Sequence, residues 1–206
     1  MFKKFNQFFY DDLSVVKGNY LLNLIKSLFI TLILLIGFVV SDSKLFYSVF
    51  IVLIGIMMMK IFKINLLSLE KLTLSQIIYI ICGTLLIYGL DNLYLHFHDV
   101  PTNEQELDQE LRNTPLYISI FTVAIIPAIV EEIIFRGIII RVVFRKHLFI
   151  GLIVSSLVFA SLHESESWIG YLPYFYSGLI FGYSYLKTKR LEVPILIHFI
   201  NNFLAI

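Results

Sequence analysis

Three charged side chains, Glu131, Glu132 and Arg136, fall inside an apolar run that extends from about residue 116 to 140. A charge at the centre of a membrane helix costs about 2.5–3.5 kcal/mol on insertion scales, so such a cluster needs a chemical reason. On a helix Glu132 and Arg136 are i and i+4 with the acid on the N-terminal side, the favoured orientation for an ion pair. Glu131 lies roughly 100 degrees around the helix from Glu132 and needs another partner, a water or a proton. A carboxylate placed in this way suits a general base. The alternative is structural: one Glu–Arg pair plus a protonated glutamate tying helices together.

Two further segments carry side chains that can join this cluster. His163 ends one apolar run, with Phe159 one turn before it on the same face. His198 and Asn202 are again i and i+4, so both can point into one cavity. For His163, beside polar Glu164, a helix–helix hydrogen bond or a headgroup contact is an equally good reading. For His198 with Asn202, polar groups converging on a carboxylate favour a water-containing site over simple helix glue. Pro127, one turn before Glu131, removes a backbone donor from the carbonyl of Val123 and predicts a kink beside the cluster.

Positioning these groups requires a membrane bundle. Of 206 residues, 58% are hydrophobic and 15% charged, and the mean hydropathy is +0.84, values foreign to a soluble domain. The fold class expected is all-α: a polytopic bundle of about seven transmembrane helices, drawn at about 20–40, 45–62, 74–95, 116–140, 147–163, 168–186 and 192–206. Continuous apolar runs without period-2 alternation exclude an outer-membrane barrel. Residues 1–115 are read as an N-terminal interfacial stretch (1–19) and three helices, and 116–206 as the core of four helices that carries the chemistry. Lys3 and Lys4 precede no signal-length apolar core, so a cleaved signal is not expected.

Twelve basic residues, among them Lys3, Lys4, Lys17, Arg145, Lys146 and Arg190, fall on one side of a seven-span alternation, and only Lys44 and Arg112 on the other. The chain is therefore expected in the cell membrane as a multi-pass protein, N-terminus cytoplasmic and C-terminus outside. The outer face is acidic through Asp99, Glu104, Glu106, Asp108 and Glu110, and Trp168, Tyr171, Tyr174 and Tyr176 form a candidate aromatic belt there. A net charge of +1 offers nucleic acid no general attraction; membrane lipid is the expected partner. Cys82, the only cysteine, is expected to pack. His96, His98, Asp91 and Asp99 are read as a solvated interface, with a weak metal site as the alternative.

The ordered set Glu131-Glu132-x-x-x-Arg136, Phe159-x-x-x-His163 and His198-x-x-x-Asn202, with Phe135-Arg136-Gly137 after the glutamates, resembles the CAAX protease and bacteriocin-processing family, also called the Abi or CAAX prenyl protease type 2 family. The resemblance covers roughly residues 116–206. It implies an intramembrane endopeptidase acting on a membrane-associated peptide or protein, in CAAX-type processing or in bacteriocin maturation and self-immunity. Glu131 would activate water, oriented with His163, and His198 and Asn202 would stabilise the oxyanion. Glu132, Arg136 and Phe159 would be structural support.

Such enzymes are often named metalloproteases. Zinc, if bound, would be held by Glu131, His163 and His198. The preferred reading requires no cofactor: asparagine is a poor zinc ligand, and His163-Glu164 begins a His-Glu-x-x-His motif that Ser167 breaks. The other reading of the same cavity is a non-catalytic immunity or regulatory membrane protein binding a bacteriocin or sensor partner. Counting at about 1.5 Å per residue, Glu131, His198 and Asn202 lie at compatible depths of roughly 12–18 Å, whereas His163 comes out at roughly 25 Å from Lys146, too far outward for an untilted helix.

Overall fold

The computed structural model describes Phe9 and residues 15–41, 43–68 and 70–206. Lys3, Lys4 and most of the interfacial stretch read from residues 1–19 lie outside the described residues. Long apolar runs form α1 (Tyr20–Val39), α2 (Leu45–Ile61), α3 (Leu74–Phe97), α5 (Leu116–Val143), α6 (Leu148–Ser161), α7 (Leu172–Thr188) and α8 (Glu192–Leu204). A short helix, α4 (Thr102–Leu111), stands between α3 and α5, and one 3₁₀ turn, Trp168–Tyr171, precedes α7. With no strand among the described residues, the chain is an all-helical polytopic membrane bundle. Each of the seven expected segments holds a long helix. Helix α4 was not foreseen, because its polar, acidic sequence carries no apolar stripe.

Local chemistry starts these helices. The Asn19 side chain accepts the Leu22 N–H at 3.1 Å to open α1. Thr73 and Gln76 form a reciprocal capping box at the start of α3. Helices α1, α3 and α5 are long and apolar enough to cross a membrane alone, whereas α2, α6 and α8 are shorter apolar helices.

Helix α5 is the central element, packing against α1, α2, α6, α7 and α8. One side of the core joins Ile30 and Leu34 of α1, Val52 and Met59 of α2, and Ile133 and Ile138 of α5. The other joins Ile80 and Ile87 of α3, Phe135, Phe159 and Phe181, and Val193 and Ile197 of α8. The many exposed leucines and isoleucines of α1 to α3 are the outward surface expected of a bundle solvated by lipid. Cys82 is also exposed on α3, which corrects the expectation that it packs inside; its neighbour Gly83, not Cys82, faces α8, where an added Cβ would meet Ile197 Cδ1 at 2.7 Å.

Because lipid gives no hydrophobic drive between apolar helices, close approach at small residues holds them together. At the α6–α7 contact, a Cβ on Gly178 would stand 3.0 Å from both Cα and Cβ of Ser156. The obstacle includes backbone, so the helices must separate. Gly178→Ala is expected to destabilise the bundle by about 1–3 kcal/mol, measured by unfolding in mixed micelles. An unchanged midpoint would mean that the helices separate without cost.

Candidate active site

The central helix is irregular on both sides of its charged cluster. Ile120–Ile125 and Ile133–Val143 are π-helical, with the α-helical turns Ile126–Glu132 between them. Such segments are rare and concentrate at functional sites. Pro127 lies at the start of the α-helical piece, and the Val123 carbonyl, which Pro127 cannot serve, accepts the Asn202 side-chain amide at 3.0 Å. The irregularity beside Pro127 is thus a change of helical type together with a side-chain bond from α8.

The two glutamates differ as the helix spacing required. Glu132 is fully buried, and its Oε1 accepts both Arg136 Nη1 at 2.9 Å and His198 Nδ1 at 3.0 Å. Arg136 also donates Nη2 to the Gly178 carbonyl at 3.2 Å. Its guanidinium lies 4.5 Å from the Phe159 ring centroid, 5.0 Å from Phe181 and 5.7 Å from Phe135. This aromatic enclosure supplies the cation–π contacts that a desolvated arginine favours. Glu131 retains 18% side-chain exposure, and its Oε2 lies 3.9 Å from His198 Nε2, beyond hydrogen-bond reach. No protein hydrogen bond reaches that oxygen among the described residues.

The histidines are held by rings and backbone. His198 stacks on Phe181, with centroids 4.8 Å apart and 15° between planes. Helix α6 ends at Ser161, so His163 sits in the following turn, its amide bonded to the Ala160 carbonyl at 3.1 Å. Its Nδ1 lies 2.8 Å from the Phe159 carbonyl; since a carbonyl only accepts, Nδ1 carries the proton and Nε2 is left as an acceptor. The His163 ring stacks on Tyr174 at 4.0 Å and 15°. Phe159 stands between the histidines, 4.8 Å from His163 and 5.9 Å from His198. The structure therefore joins Glu131, Glu132, Arg136 and His198 directly, Asn202 through Val123, and His163 through Phe159.

Several parts of this arrangement were not anticipated. Tyr174 and Tyr176 are not belt residues: Tyr174 is buried against His163, and Tyr176 donates to Asp91. Only Trp168, 93% exposed, is fully placed as a belt residue would be. The Gly178 carbonyl and the Phe181 ring were missed as well. Their signal was the buried stripe Tyr174, Ser177, Gly178, Phe181 and Tyr185 along α7, a helical periodicity that a search for charges passes over. Ser155 and Ser156 donate to the Phe135 and Leu152 carbonyls at 2.9 and 2.8 Å and serve packing. No three His, Cys, Asp or Glu side chains converge as metal donors among the described residues. That holds for Glu131, His163 and His198, and for the His96, His98, Asp91 and Asp99 group.

Helix α4 closes over the end of the bundle nearest His163. The Asn103 amide donates to the Glu164 carbonyl at 3.3 Å, and the Glu166 amide donates to the Thr102 hydroxyl at 3.3 Å. Burial, and then the charges of Asp91 and Asp108, hold the Glu104 carboxyl above its ordinary value of 4.5. The folded protein keeps this proton more tightly than the unfolded chain does. In the pH window above 4.5 and up to the raised value, the folded state carries more of the proton, and stability falls as pH rises. Glu104→Gln is expected to raise the thermal midpoint at pH 8 and to leave it nearly unchanged at about pH 3, well below the ordinary value of 4.5, where both states of the wild type are protonated. An equal shift at both pH values would assign the effect to packing.

The comparisons with known proteins fall on this same part of the chain. Residues 113–204 match the family described as type II CAAX prenyl endopeptidase Rce1-like. The chain is 37% identical over 110 residues to the membrane-embedded CAAX protease MroQ of Staphylococcus aureus, covering 50% of this chain and 43% of that protein. It is 34% identical over 101 residues to the putative membrane peptidase YdiL of Bacillus subtilis, covering 48% of this chain and 40% of that protein. The matches thus span less than half the length of either relative. No solved structure matches the chain. Residues 113–204, which hold the paired glutamates, the arginine, both histidines and the asparagine, are thus the part of the chain that is similar to the Rce1-like type II CAAX prenyl endopeptidase family.

Proposed function

We propose that the protein is an intramembrane endopeptidase that hydrolyses a peptide bond of a membrane-associated protein or peptide, with Glu131 as the base that activates water. The observation that carries this reading is the difference between the two glutamates. Glu132 is fully buried with its Oε1 committed to Arg136 and His198, whereas Glu131 keeps 18% side-chain exposure and its Oε2 lies 3.9 Å from His198 Nε2; the Oε2 of each glutamate has no protein partner among the described residues. A water bonded to Glu131 and His198 completes a triangle beside a base and a donor.

In this reaction Glu131 takes a proton from water as its oxygen bonds to the scissile carbonyl carbon. The resulting oxyanion meets His198 and the second N–H of the Asn202 amide, whose first is given to Val123. Collapse of the intermediate breaks the C–N bond, and Glu131 returns its proton to the leaving amine. His163 Nε2, left as an acceptor by the bond to Phe159, orients the water. Glu132, Arg136 and Phe159 position these groups.

Glu131, His163 and His198 do not converge as a set of metal donors among the described residues. Residues 116–206 form the catalytic core on this reading, and the excess of basic residues at one end supports a cytoplasmic N-terminus. The test is cleavage of lipid-anchored and unanchored peptides, prenylated and not, by the protein in liposomes, with metal analysis of wild type and His198→Ala. Cleavage is expected for a membrane-associated peptide. Stoichiometric zinc lost in His198→Ala would overturn the metal-free chemistry. Peptide binding without cleavage would leave the immunity or regulatory reading.

A further inference from the structure

Away from the glutamates, the turn between α5 and α6 meets the first turn of α1 around a cavity of about 280 Å³ lined by Tyr20, Val143, Arg145, Lys146 and His147. The volume equals roughly nine waters of liquid, room for a phosphodiester headgroup. The wall is built. The Tyr20 hydroxyl donates to the Val143 carbonyl at 2.7 Å, and the Arg145 guanidinium lies 4.8 Å from the Tyr20 ring centroid. Among the described residues the lining holds two cationic side chains, an imidazole and a phenol, and no carboxylate.

What surrounds the cavity is apolar and outward-facing. Leu21, Leu22 and Ile25 are exposed on the first turns of α1, and Phe149 and Ile150 on the first turn of α6. The Phe9 ring packs edge-on against Phe149, centroids 5.1 Å apart. A basic cavity at the end of membrane helices, flanked by hydrocarbon-facing side chains, has the chemistry of an anionic lipid site. We propose that it binds the headgroup phosphate of an anionic phospholipid, with the acyl chains lying along the exposed starts of α1 and α6. Arg145 and Lys146 attract the phosphate and repel a headgroup that carries its own cation. The flanking apolar surface favours a lipid over free phosphate.

The test is native mass spectrometry of the full chain released from micelles containing equal amounts of phosphatidylglycerol and phosphatidylcholine. Wild type is expected to retain phosphatidylglycerol preferentially, and inorganic phosphate at about 0.15 M ionic strength, the physiological value, is expected not to displace it. Arg145→Gln with Lys146→Gln is expected to lower the preference roughly ten- to thirtyfold, while Arg145→Lys with Lys146→Arg retains most of it. If the double glutamine variant fails to purify as a single species, Lys146→Gln alone, at an exposed position, carries the test with a smaller loss. Equal retention of the two lipids by wild type, or an unchanged preference in the glutamine variants, would overturn the proposal. Displacement by inorganic phosphate would overturn the lipid assignment and leave an anion site only.

Discussion

Glu131→Gln is expected to lower peptide hydrolysis about 10²–10⁴-fold, the usual contribution of a positioned general base. The substitution is nearly isosteric and removes only the ability to take a proton. Its structural cost is expected to be small, because Glu131 keeps 18% exposure and its approach to His198, at 3.9 Å, is not a hydrogen bond. The loss should therefore fall on kcat with KM little changed, and the thermal midpoint should stay near that of wild type. Cleavage by Glu131→Gln at the wild-type rate would remove Glu131 from the chemistry. Loss of cleavage together with loss of the folded protein would point to structural glue instead, which makes the midpoint a necessary part of the measurement.

The parts of this site legible from sequence were those fixed by short-range geometry. Glu132 and Arg136 were expected as an i, i+4 pair, and the structure places Nη1 and Oε1 2.9 Å apart even though the π-helical stretch begins at Ile133. The seven apolar segments were legible because length and composition alone mark them. What sequence spacing could not supply was the partner chosen across helices. His198 was expected to face Glu131 as an oxyanion donor; the structure ties its Nδ1 to Glu132 and leaves only Nε2 toward Glu131. Asn202 lies on the expected helix, but its amide is partly engaged by the Val123 carbonyl.

His163 was the residue whose depth conflicted with the rest. Its helix ends at Ser161, and the ring connects to the cluster through Phe159 and Tyr174, contacts with no fixed sequence interval. Tyr174 itself was assigned to the membrane surface because an aromatic near a span end commonly sits there. Its burial depends on α4 and the α6–α7 loop folding over that end, and nothing in the acidic sequence of α4 announces the contact.

Arg136→Met is expected to destabilise the protein by about 3–5 kcal/mol, the range for removing one partner of a buried ion pair. The size follows from what is left behind. Glu132 has no exposed side-chain surface and has two cationic or polar donors on one oxygen; without the guanidinium, the imidazole of His198 alone faces its charge. The Gly178 carbonyl loses its donor, and three aromatic rings lose the cation between them. Glu132→Leu combined with Arg136→Met removes the stranded charge and is expected to recover part of that loss, giving a coupling well outside the about 0.3–0.5 kcal/mol of additive sites. The double variant also releases His198 Nδ1, so stability should return without activity, separating the pair's structural role from its hold on the histidine. Equilibrium unfolding in mixed micelles and peptide cleavage, measured on all four members of the cycle, check this. Additive stability losses would show that the ion pair is not what makes the buried cluster tolerable, and recovered cleavage in the double variant would show that Glu132 does not position His198.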